Sequence, residues 1–214
     1  MRETFRKLPE AKKKMIIEAA VGVFAENGYH RASIADICKR AKISNGALYK
    51  YFEGKEDLYE CVYDHVAEMI FSTVFDHDYS ASGILDTVKR ITRHSLDFVV
   101  GNPNQWAVYM DIASSSMNDF SSKLSLGLEK RVKKFWVGQI RTAKERGEIP
   151  QDINESSAAY VIDNNILMFV FSLISEHYRH RLECYFGDAD GKVNDSQKIS
   201  VVSDAVERYL SQIE

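Results

Sequence analysis

The stretch SIADICKRAKISNGALYKYFEGK, residues 33–55, carries the signals that end one short helix and begin another. Ser33, followed three residues later by Asp36, is a serine N-cap with an acidic partner, a pattern that satisfies backbone N–H groups at the start of a helix. Residues 41–43 interrupt the apolar periodicity, and Ser44 offers a second N-cap directly afterwards. Two helices separated by about three residues are typical of a helix-turn-helix. The sequence therefore predicts this motif here.

The second of these helices begins with side chains that suit docking on DNA. In a helix-turn-helix, this helix enters the major groove with its first residues toward bases and phosphates. Hydroxyls, phenols and cations supply donors, and a glycine lets the backbone come close to the nucleic acid. Each residue alone also has a structural interpretation: Ser44 as a cap only, Tyr49 as a packing residue and Lys50 as a solvated cation. Together they favour DNA contact, and the predicted set is Ser44, Asn45, Gly46, Tyr49, Lys50 and Tyr51.

These residues also carry a resemblance to a known family. The stretch resembles the DNA-binding domain of the TetR family of bacterial transcriptional repressors, whose usual wording is T-x-x-x-I-A-x-x-A-G-V-S-x-G-x-[LI]-Y-x-[YH]-F-x-x-K-E-x-L. The resemblance covers residues 11–60 and adds Ser33 and Lys55 to the expected DNA-binding residues. The matching positions are Phe24, Gly28, Tyr29, Ser33, Ile37, Cys38, Ala41, Lys42, Ile43, Ser44, Gly46, Leu48, Tyr49, Tyr51, Phe52, Lys55, Glu56 and Leu58.

Two of these positions depart from the usual sequence pattern of the family. Lys42 stands where the turn glycine is usual, and a left-handed backbone at a residue with a Cβ costs on the order of 1 kcal/mol. Cys38 replaces the usual alanine on the packed face, where a small thiol fits without new chemistry. We therefore expect an intact but slightly strained turn.

The distribution of charge agrees with a DNA-binding N-terminal region. Residues 1–55 carry twelve Lys and Arg against six Asp and Glu, a formal charge of +6, whereas the whole chain is −3 and the remainder therefore −9. Cations that neutralise phosphates supply most of the sequence-independent affinity for DNA. For the basic tail at residues 1–14, a solubilising role and direct phosphate contact both remain open.

Length and composition indicate a folded protein of two helical domains. The chain has 214 residues, of which 45% are hydrophobic. We expect a DNA-binding domain at 1–55 and a ligand-binding and dimerisation domain at 56–214. Because no run of eighteen apolar residues occurs and the N-terminus lacks an apolar signal region, a soluble cytoplasmic protein without a membrane partner is predicted.

Motifs for catalysis and metal binding are missing from the sequence. It contains no G-x-S-x-G, no Walker loop, no G-x-G-x-x-G after a strand and no H-E-x-x-H, so we predict neither an enzyme nor a cofactor. His177 and His180 have a spacing that can hold a metal ion, but their segment also fits a polar helix end, and no metal site is predicted. Cys38, Cys61 and Cys184 form no close pair and are expected to be reduced thiols.

Downstream of residue 55, helix signals recur with little strand signal. The fold class predicted is all-α, with an N-terminal three-helix helix-turn-helix domain and a larger C-terminal helical domain, about nine helices. Pro103 suits the first turn of a helix, and Gly147 suits a helix end. The predicted downstream helices span residues 55–75, 84–100, 103 onward, 119–146, 154–182 and 196–213.

The stretch AAYVIDNNILMFVFSLI, residues 158–174, is apolar almost all round. A helix with this pattern needs a partner surface on most of its sides. The family resemblance implies that the last two helices form a four-helix bundle with a second subunit, so we expect a homodimer with Val161, Val170 and Ile174 at its interface. The alternative is an internal core helix of a monomer.

Polar residues inside this stretch and aromatic residues elsewhere suggest a ligand cavity. Buried polar groups are costly unless paired, so Asp163, Asn164 and Asn165 either face a ligand or bond each other, water or backbone across the dimer seam. We expect a small apolar or amphipathic effector. The predicted ligand-binding residues are Trp106, Tyr109, Met110, Phe135, Asn164, Asn165, Met168 and Phe169.

Two functional hypotheses follow. The first is a DNA-binding transcriptional regulator, a ligand-responsive repressor that binds double-stranded DNA at a pseudo-palindromic operator as a dimer. The second is a helical small-molecule-binding or adaptor protein with a vestigial DNA-binding domain. Binding of duplex DNA separates the two.

Overall fold

The computed structural model describes residues 1–114, 118–188 and 191–211, and these residues form helices with no β-strand among them. A π-helical turn, Phe71–Phe75, continues the fifth helix. The prediction of an all-α fold is confirmed. The helices are α1 (Glu3–Arg6), α2 (Glu10–Arg31), α3 (Ile34–Arg40), α4 (Asn45–Tyr51), α5 (Lys55–Ile70), α6 (Ile84–Gly101), α7 (Pro103–Ser114), α8 (Asn118–Glu145), α9 (Glu155–Ile174), α10 (Glu176–Phe186) and α11 (Asp195–Ser211).

The chain divides into two compact units that each contain two segments. The first unit comprises residues 1–69 and 102–128, and the second comprises residues 70–101 and 129–214. The helix-turn-helix therefore shares its compact unit with α5 and α7. A functional division at residue 55 stays a prediction, because compactness groups elements by packing rather than by task.

In the first unit, α2, α3, α4 and α5 surround a tight apolar core. Ile16, Ile37, Leu48, Phe52 and Leu58 are fully buried there. Within the two short helices the buried residues are Ile37 and Cys38 of α3 and Leu48 of α4. α7 packs along α2 in the same unit.

The second unit is organised around contacts of α11 with α6 and α9, and of α9 with α6 and α10. Helix α6 begins where the backbone N–H of Ile84 donates to Glu148 Oε2 at 2.7 Å, which satisfies one of the otherwise unpaired N–H groups of a helix start. Trp136 on α8 is fully buried among aromatic rings.

One predicted helix is divided in the structure. The helix expected over residues 154–182 ends at Ile174, because Ser175 takes an extended conformation with φ −106° and ψ 125°, and α10 starts at Glu176. This break and the short α1 raise the number of α-helices among the described residues to eleven, against the predicted nine or so. Asn154 caps α9 as expected, accepting from Ser157 N at 2.9 Å.

Val170, which was predicted at the dimer interface, is buried within its own chain. Only 2% of its surface is accessible within the single chain, and it lies two turns after the fully buried Ile162 on the inner face of α9. Tyr160 and Ile174, by contrast, are 71% and 38% exposed. The apolar character of α9 therefore has two sources, a face buried in its own unit and a second face that is open.

Length and composition of α9 would also permit membrane crossing. Three polar residues, Asp163–Asn165, lie near its middle, and the helix packs against α6, α10 and α11. A bundle helix with one open apolar face accounts for the same composition.

Candidate nucleic-acid interface

The turn of the helix-turn-helix is closed by a Schellman motif. Lys42 has a left-handed backbone with φ 52°, its N–H donates to Lys39 O at 3.3 Å, and Ile43 N donates to Cys38 O at 3.0 Å. The expectation that Lys42 retains the conformation of the usual glycine is met. The orphan carbonyls at the end of α3 are thereby satisfied, and the direction in which α4 leaves the turn is fixed.

Both short helices of the motif begin with the predicted serine caps. Ser44 Oγ accepts from Ala47 N at 3.1 Å, and Ser33 Oγ accepts from Asp36 N at 3.1 Å. Ser33 also donates to Asp36 Oδ2 at 2.6 Å. Because both hydrogen-bonding functions of the Ser33 hydroxyl are used locally, the structure gives Ser33 a capping role.

The outer face of α4 is polar and open to solvent. Ser44, Asn45, Gly46 and Lys50 are exposed, and Tyr49 is 48% exposed although it is an aromatic residue. A Cβ built at Gly46 meets no atom of the described residues within 4 Å, so the fold itself does not require glycine there. The inner face carries Leu48, which is fully buried. The packing alternative for Tyr49 is thus disfavoured.

The N-terminal segment holds the far end of α4, which sequence reasoning did not foresee. Arg2 N donates to Tyr51 O at 2.9 Å, Arg2 Nη1 donates to Tyr49 O at 3.0 Å, and the Thr4 hydroxyl donates to Lys50 O. The last carbonyls of a helix have no partner within the helix, so these donors complete it. Part of the basic tail is therefore a structural clamp.

Phe5 on α1 anchors this clamp. Its ring is buried and lies 4.7 Å from Phe52 and 6.0 Å from Tyr51, measured between ring centroids. Tyr51 is accordingly only half exposed. Besides Arg2, the exposed cations of the tail are Arg6 on α1, Lys7 directly after it, and Lys12 and Lys14 on the first turns of α2.

Lys55 has a different role from the one expected. Its Nζ donates to the carbonyls of Tyr29, His30 and Ala32 at 2.8, 3.2 and 3.2 Å, and it lies 4.6 Å from the centre of the Tyr29 ring. A cation at the C-terminal end of a helix is favoured by the helix dipole. The ammonium group therefore joins α5 to the end of α2. In this role Lys55 supports the helix-turn-helix structurally.

The predicted ligand-binding residues are divided between the two compact units. Trp106, Tyr109 and Met110 lie on α7 in the first unit, where Trp106 is buried and its ring lies 5.1 Å from that of Tyr109. Phe135 belongs to the aromatic cluster of the second unit, 5.1 Å from Trp136. Tyr109, Met110 and Phe135 are half-buried, and a role of these four residues in ligand binding stays a prediction.

Three of the predicted residues do come together. Asn165, Met168 and Phe169 line a cavity of about 340 Å³ in the second unit, between α9, α10 and α11. Asn164 instead donates to Tyr160 O within its own helix at 2.7 Å. The cavity wall also carries Arg181 of α10 and Lys198 of α11, which sequence reasoning did not select.

The polar residues of α9 have different surroundings. Asn165 Nδ2 donates to Val161 O at 2.8 Å, one turn back. Asp163 is only partly exposed, and burial first, then the Glu129 carboxylate, raises the pKa of Asp163 to about 7. Within the described residues, no three His, Cys, Asp or Glu side chains group as a metal site.

Comparison with known proteins was decisive for the first unit. Residues 16–62 match the family model described as bacterial regulatory proteins, tetR family. The HTH-type transcriptional regulator UidR of Escherichia coli K12 is 26% identical over 156 residues, 69% of this chain and 74% of that protein. The helix-turn-helix segment of this chain thus matches the DNA-binding domain of TetR-family regulators. The matched segment contains the two serine caps, the Lys42 turn and α4.

Solved structures extend the similarity to the whole fold. Salmonella enterica GusR has a TM-score of 0.72 at 22% identity, covering 95% of this chain and 98% of that one. FadR from Bacillus subtilis, solved in complex with stearoyl-CoA, has a TM-score of 0.70 at 21% identity, covering 94% and 99%. At such identities the likeness establishes the fold alone.

Proposed function

We propose that this regulator is a ligand-responsive repressor that binds a pseudo-palindromic operator as a homodimer. The N-terminal part of α4 makes the contact to DNA. The observation that carries the proposal is an exposed polar helix face fixed at both ends. The Lys42 turn and the Ser44 cap fix its beginning, and Arg2 and Thr4 fix its end. A preorganised helix loses little conformational freedom on entering a groove.

Within this interface the residues have separate tasks. Asn45, Tyr49 and Lys50 make the contacts to DNA, together with the backbone at Gly46 and the exposed cations of the tail. Ser33, Ser44 and Lys55 hold the backbone in place, and Tyr51 packs on Phe5. Phosphate contacts fix the register, and contacts to base edges select the sequence.

A dimer is supported by the open apolar face of α9. Tyr160 and Ile174 are exposed on a helix whose opposite side is buried in the second unit. A two-fold symmetric pair of such faces would bury both, and a dimer places two copies of α4 on two half-sites of a symmetric operator.

The cavity between α9, α10 and α11 supports an amphipathic effector with an acidic end. Met168, Phe169 and Val202 supply apolar wall, and Arg181 supplies a cation at the exposed rim, where its guanidinium lies 5.5 Å from the Tyr185 ring. Lys198 also lines the cavity and pairs with Asp195 at 3.0 Å. A few polar groups in a mostly apolar cavity orient a ligand.

The DNA-binding proposal is tested by selecting duplexes from a random library with the wild-type protein and measuring affinity over a range of salt concentrations. Lys50→Ala should weaken binding to all sequences and lower the salt slope by roughly one unit if Lys50 contacts a phosphate. The exposed Lys89 on α6 of the second unit offers the matched control, and Lys89→Ala should leave the slope unchanged. Failure to enrich any duplex at low salt would favour the alternative of a ligand-binding or adaptor protein with a vestigial DNA-binding domain.

The effector proposal is tested with two probes of equal chain length and opposite charge, decanoate and decyltrimethylammonium. Decanoate should raise the melting temperature and lower operator affinity, because a ligand shifts a conformational equilibrium only through different affinities for the two states. Arg181→Gln should weaken the response to decanoate. Equal responses to both probes would remove the acidic end from the proposal and leave an apolar effector.

A further inference from the structure

Asp111 on α7 binds the junction between α2 and α3. Its Oδ2 accepts from the backbone N–H of Tyr29 at 2.8 Å and from the hydroxyl of Tyr59 at 2.9 Å. Tyr59 is fully buried, and burial raises the pKa of its phenol, with the Asp111 carboxylate as the next cause. One carboxylate on α7 therefore connects the end of α2 to α5 by two hydrogen bonds to a charged acceptor, which are stronger than neutral ones.

The backbone of the junction is shaped to receive this carboxylate. Gly28 has φ 67°, a conformation that favours glycine, and a Cβ added there would lie 3.1 Å from Asp111 Oδ1. Gly28 thus performs two tasks: it makes the kink at the end of α2, and it leaves space for the acid. No sequence signal links it to Asp111, which lies 82 residues after Tyr29.

The same junction leads directly into the helix-turn-helix. Three residues after Tyr29, Ala32 ends the kinked segment, and Ser33 then caps α3. Lys55 holds the carbonyls of Tyr29, His30 and Ala32 while Asp111 holds the N–H of Tyr29. Ionic side chains therefore hold both backbone polar groups of Tyr29: Lys55 of α5 binds the carbonyl, and Asp111 of α7 binds the N–H.

We propose that Asp111 is a positioning residue for operator binding, and that it holds the α2–α3 junction in the DNA-binding arrangement through Tyr29 and Tyr59. The proposal rests on the proposed function, because it assigns a residue that supports the α4 interface. Asp111 itself touches no DNA.

The test compares wild type with Asp111→Ala, which removes both bonds, and Asp111→Asn, which keeps an oxygen acceptor of the same shape. On a duplex selected by wild type, Asp111→Ala should bind about tenfold more weakly, within the 5- to 150-fold typical of coupling between sites. Its salt slope should be unchanged because no phosphate contact is lost. Asp111→Asn should recover most of the affinity.

Tyr59→Phe tests whether the tyrosine acts through the same carboxylate. Alone it should weaken binding less than Asp111→Ala does, and in the background of Asp111→Ala it should add almost nothing, since coupled residues are not additive. Val206→Ala, a truncation of a fully buried residue of α11 in the second unit, is the control for stability. If its melting temperature falls by about as much as that of Asp111→Ala, Val206→Ala should still keep its affinity for the operator.

Amide hydrogen exchange gives a readout that needs no DNA. In Asp111→Ala, exchange at Tyr29 and along α3 should accelerate, while α9 keeps its protection. If wild type selects no duplex, the proposed function fails, and exchange still decides the role of Asp111. Unchanged operator affinity together with unchanged exchange in a folded Asp111→Ala variant would overturn the inference, as would an equal loss of affinity in Val206→Ala.

Discussion

Helices α4 and α9 each have one buried face, but their exposed faces differ in polarity. In α4 the inner face is buried, the outer face is polar, and neighbouring elements complete both helix ends. In α9 the inner face is equally buried, but the outer face includes Tyr160 and Ile174, which are apolar and open. A polar open face suits a solvated, charged partner such as DNA, and an apolar open face suits another protein surface.

The sharpest way to test this contrast is to place the same charge on the two faces of α9. Val170→Arg puts an unpaired cation into the core of the second unit, which costs several kcal/mol and should unfold that unit. Tyr160→Arg puts the cation on the open face and should leave a folded monomer. Circular dichroism and sedimentation measure both results. A dimeric Tyr160→Arg protein would place the subunit interface on another surface.

The buried carboxyl of α9 gives the next largest effect. Because the pKa of Asp163 is about 7 in the folded chain and near its ordinary 3.8 when unfolded, the folded state holds the proton more tightly. Its contribution to stability is complete below about pH 4, declines up to about pH 7 and is then constant, a total of at most about 4 kcal/mol.

Asp163→Asn removes this dependence, so the variant should gain stability relative to wild type as the pH rises from about 4 to about 7. Urea unfolding at constant protomer concentration measures the difference. Asp204→Asn, on the exposed surface of α11, should show a much smaller change, since water already hydrates that charge. A difference independent of pH would mean that Asp163 is ionised in the folded protein.

Two glycines with positive φ differ in their surroundings. Gly28 has φ 67° and ψ 168° and Gly147 has φ 70°; a Cβ meets Asp111 Oδ1 at 3.1 Å at Gly28 and nothing among the described residues within 4 Å at Gly147. Gly147→Ala should cost about 1 kcal/mol, the cost of a positive φ at a residue with a Cβ. Gly28→Ala should cost more, because almost no residue other than glycine adopts its φ and ψ and because the Cβ crowds the carboxylate, and it should also lower operator affinity. An operator affinity equal to that of Gly147→Ala would show that the carboxylate adapts without consequence.

The sequence predicted those features that depend on neighbouring residues. Ser33, Ser44, Lys42 and Asn154 were assigned correctly because caps and turns are made by residues a few positions apart. The all-α fold followed from the same local signals. The roles of Lys55 and Asp111 were missed because their partners lie 23 to 26 and 52 to 82 residues away.

The cavity was predicted only in part for a related reason. Apolar periodicity identifies a buried helix, but it does not show which face packs inside the second unit and which face is exposed. The sequence therefore could not assign Val170 and Phe169 to the inner face. The break at Ser175 lies in a segment without glycine or proline, and α10 with Arg181 was therefore read as a continuation of α9. Trp106 has the chemistry of a cavity wall but is buried in its own unit.

The smallest effect concerns the turn that joins α3 to α4. Lys42 takes a left-handed conformation with φ 52°, which glycine adopts without strain. Lys42→Gly should therefore stabilise the first unit by up to about 1 kcal/mol, whereas Lys42→Ala should be nearly neutral. Both variants remove the same exposed cation, so any equal loss in affinity for DNA reports the charge. Greater affinity of Lys42→Gly than of Lys42→Ala would mean that strain in the turn limits the fit of α4 to the groove, and equal affinity with unequal stability would confine the strain to folding.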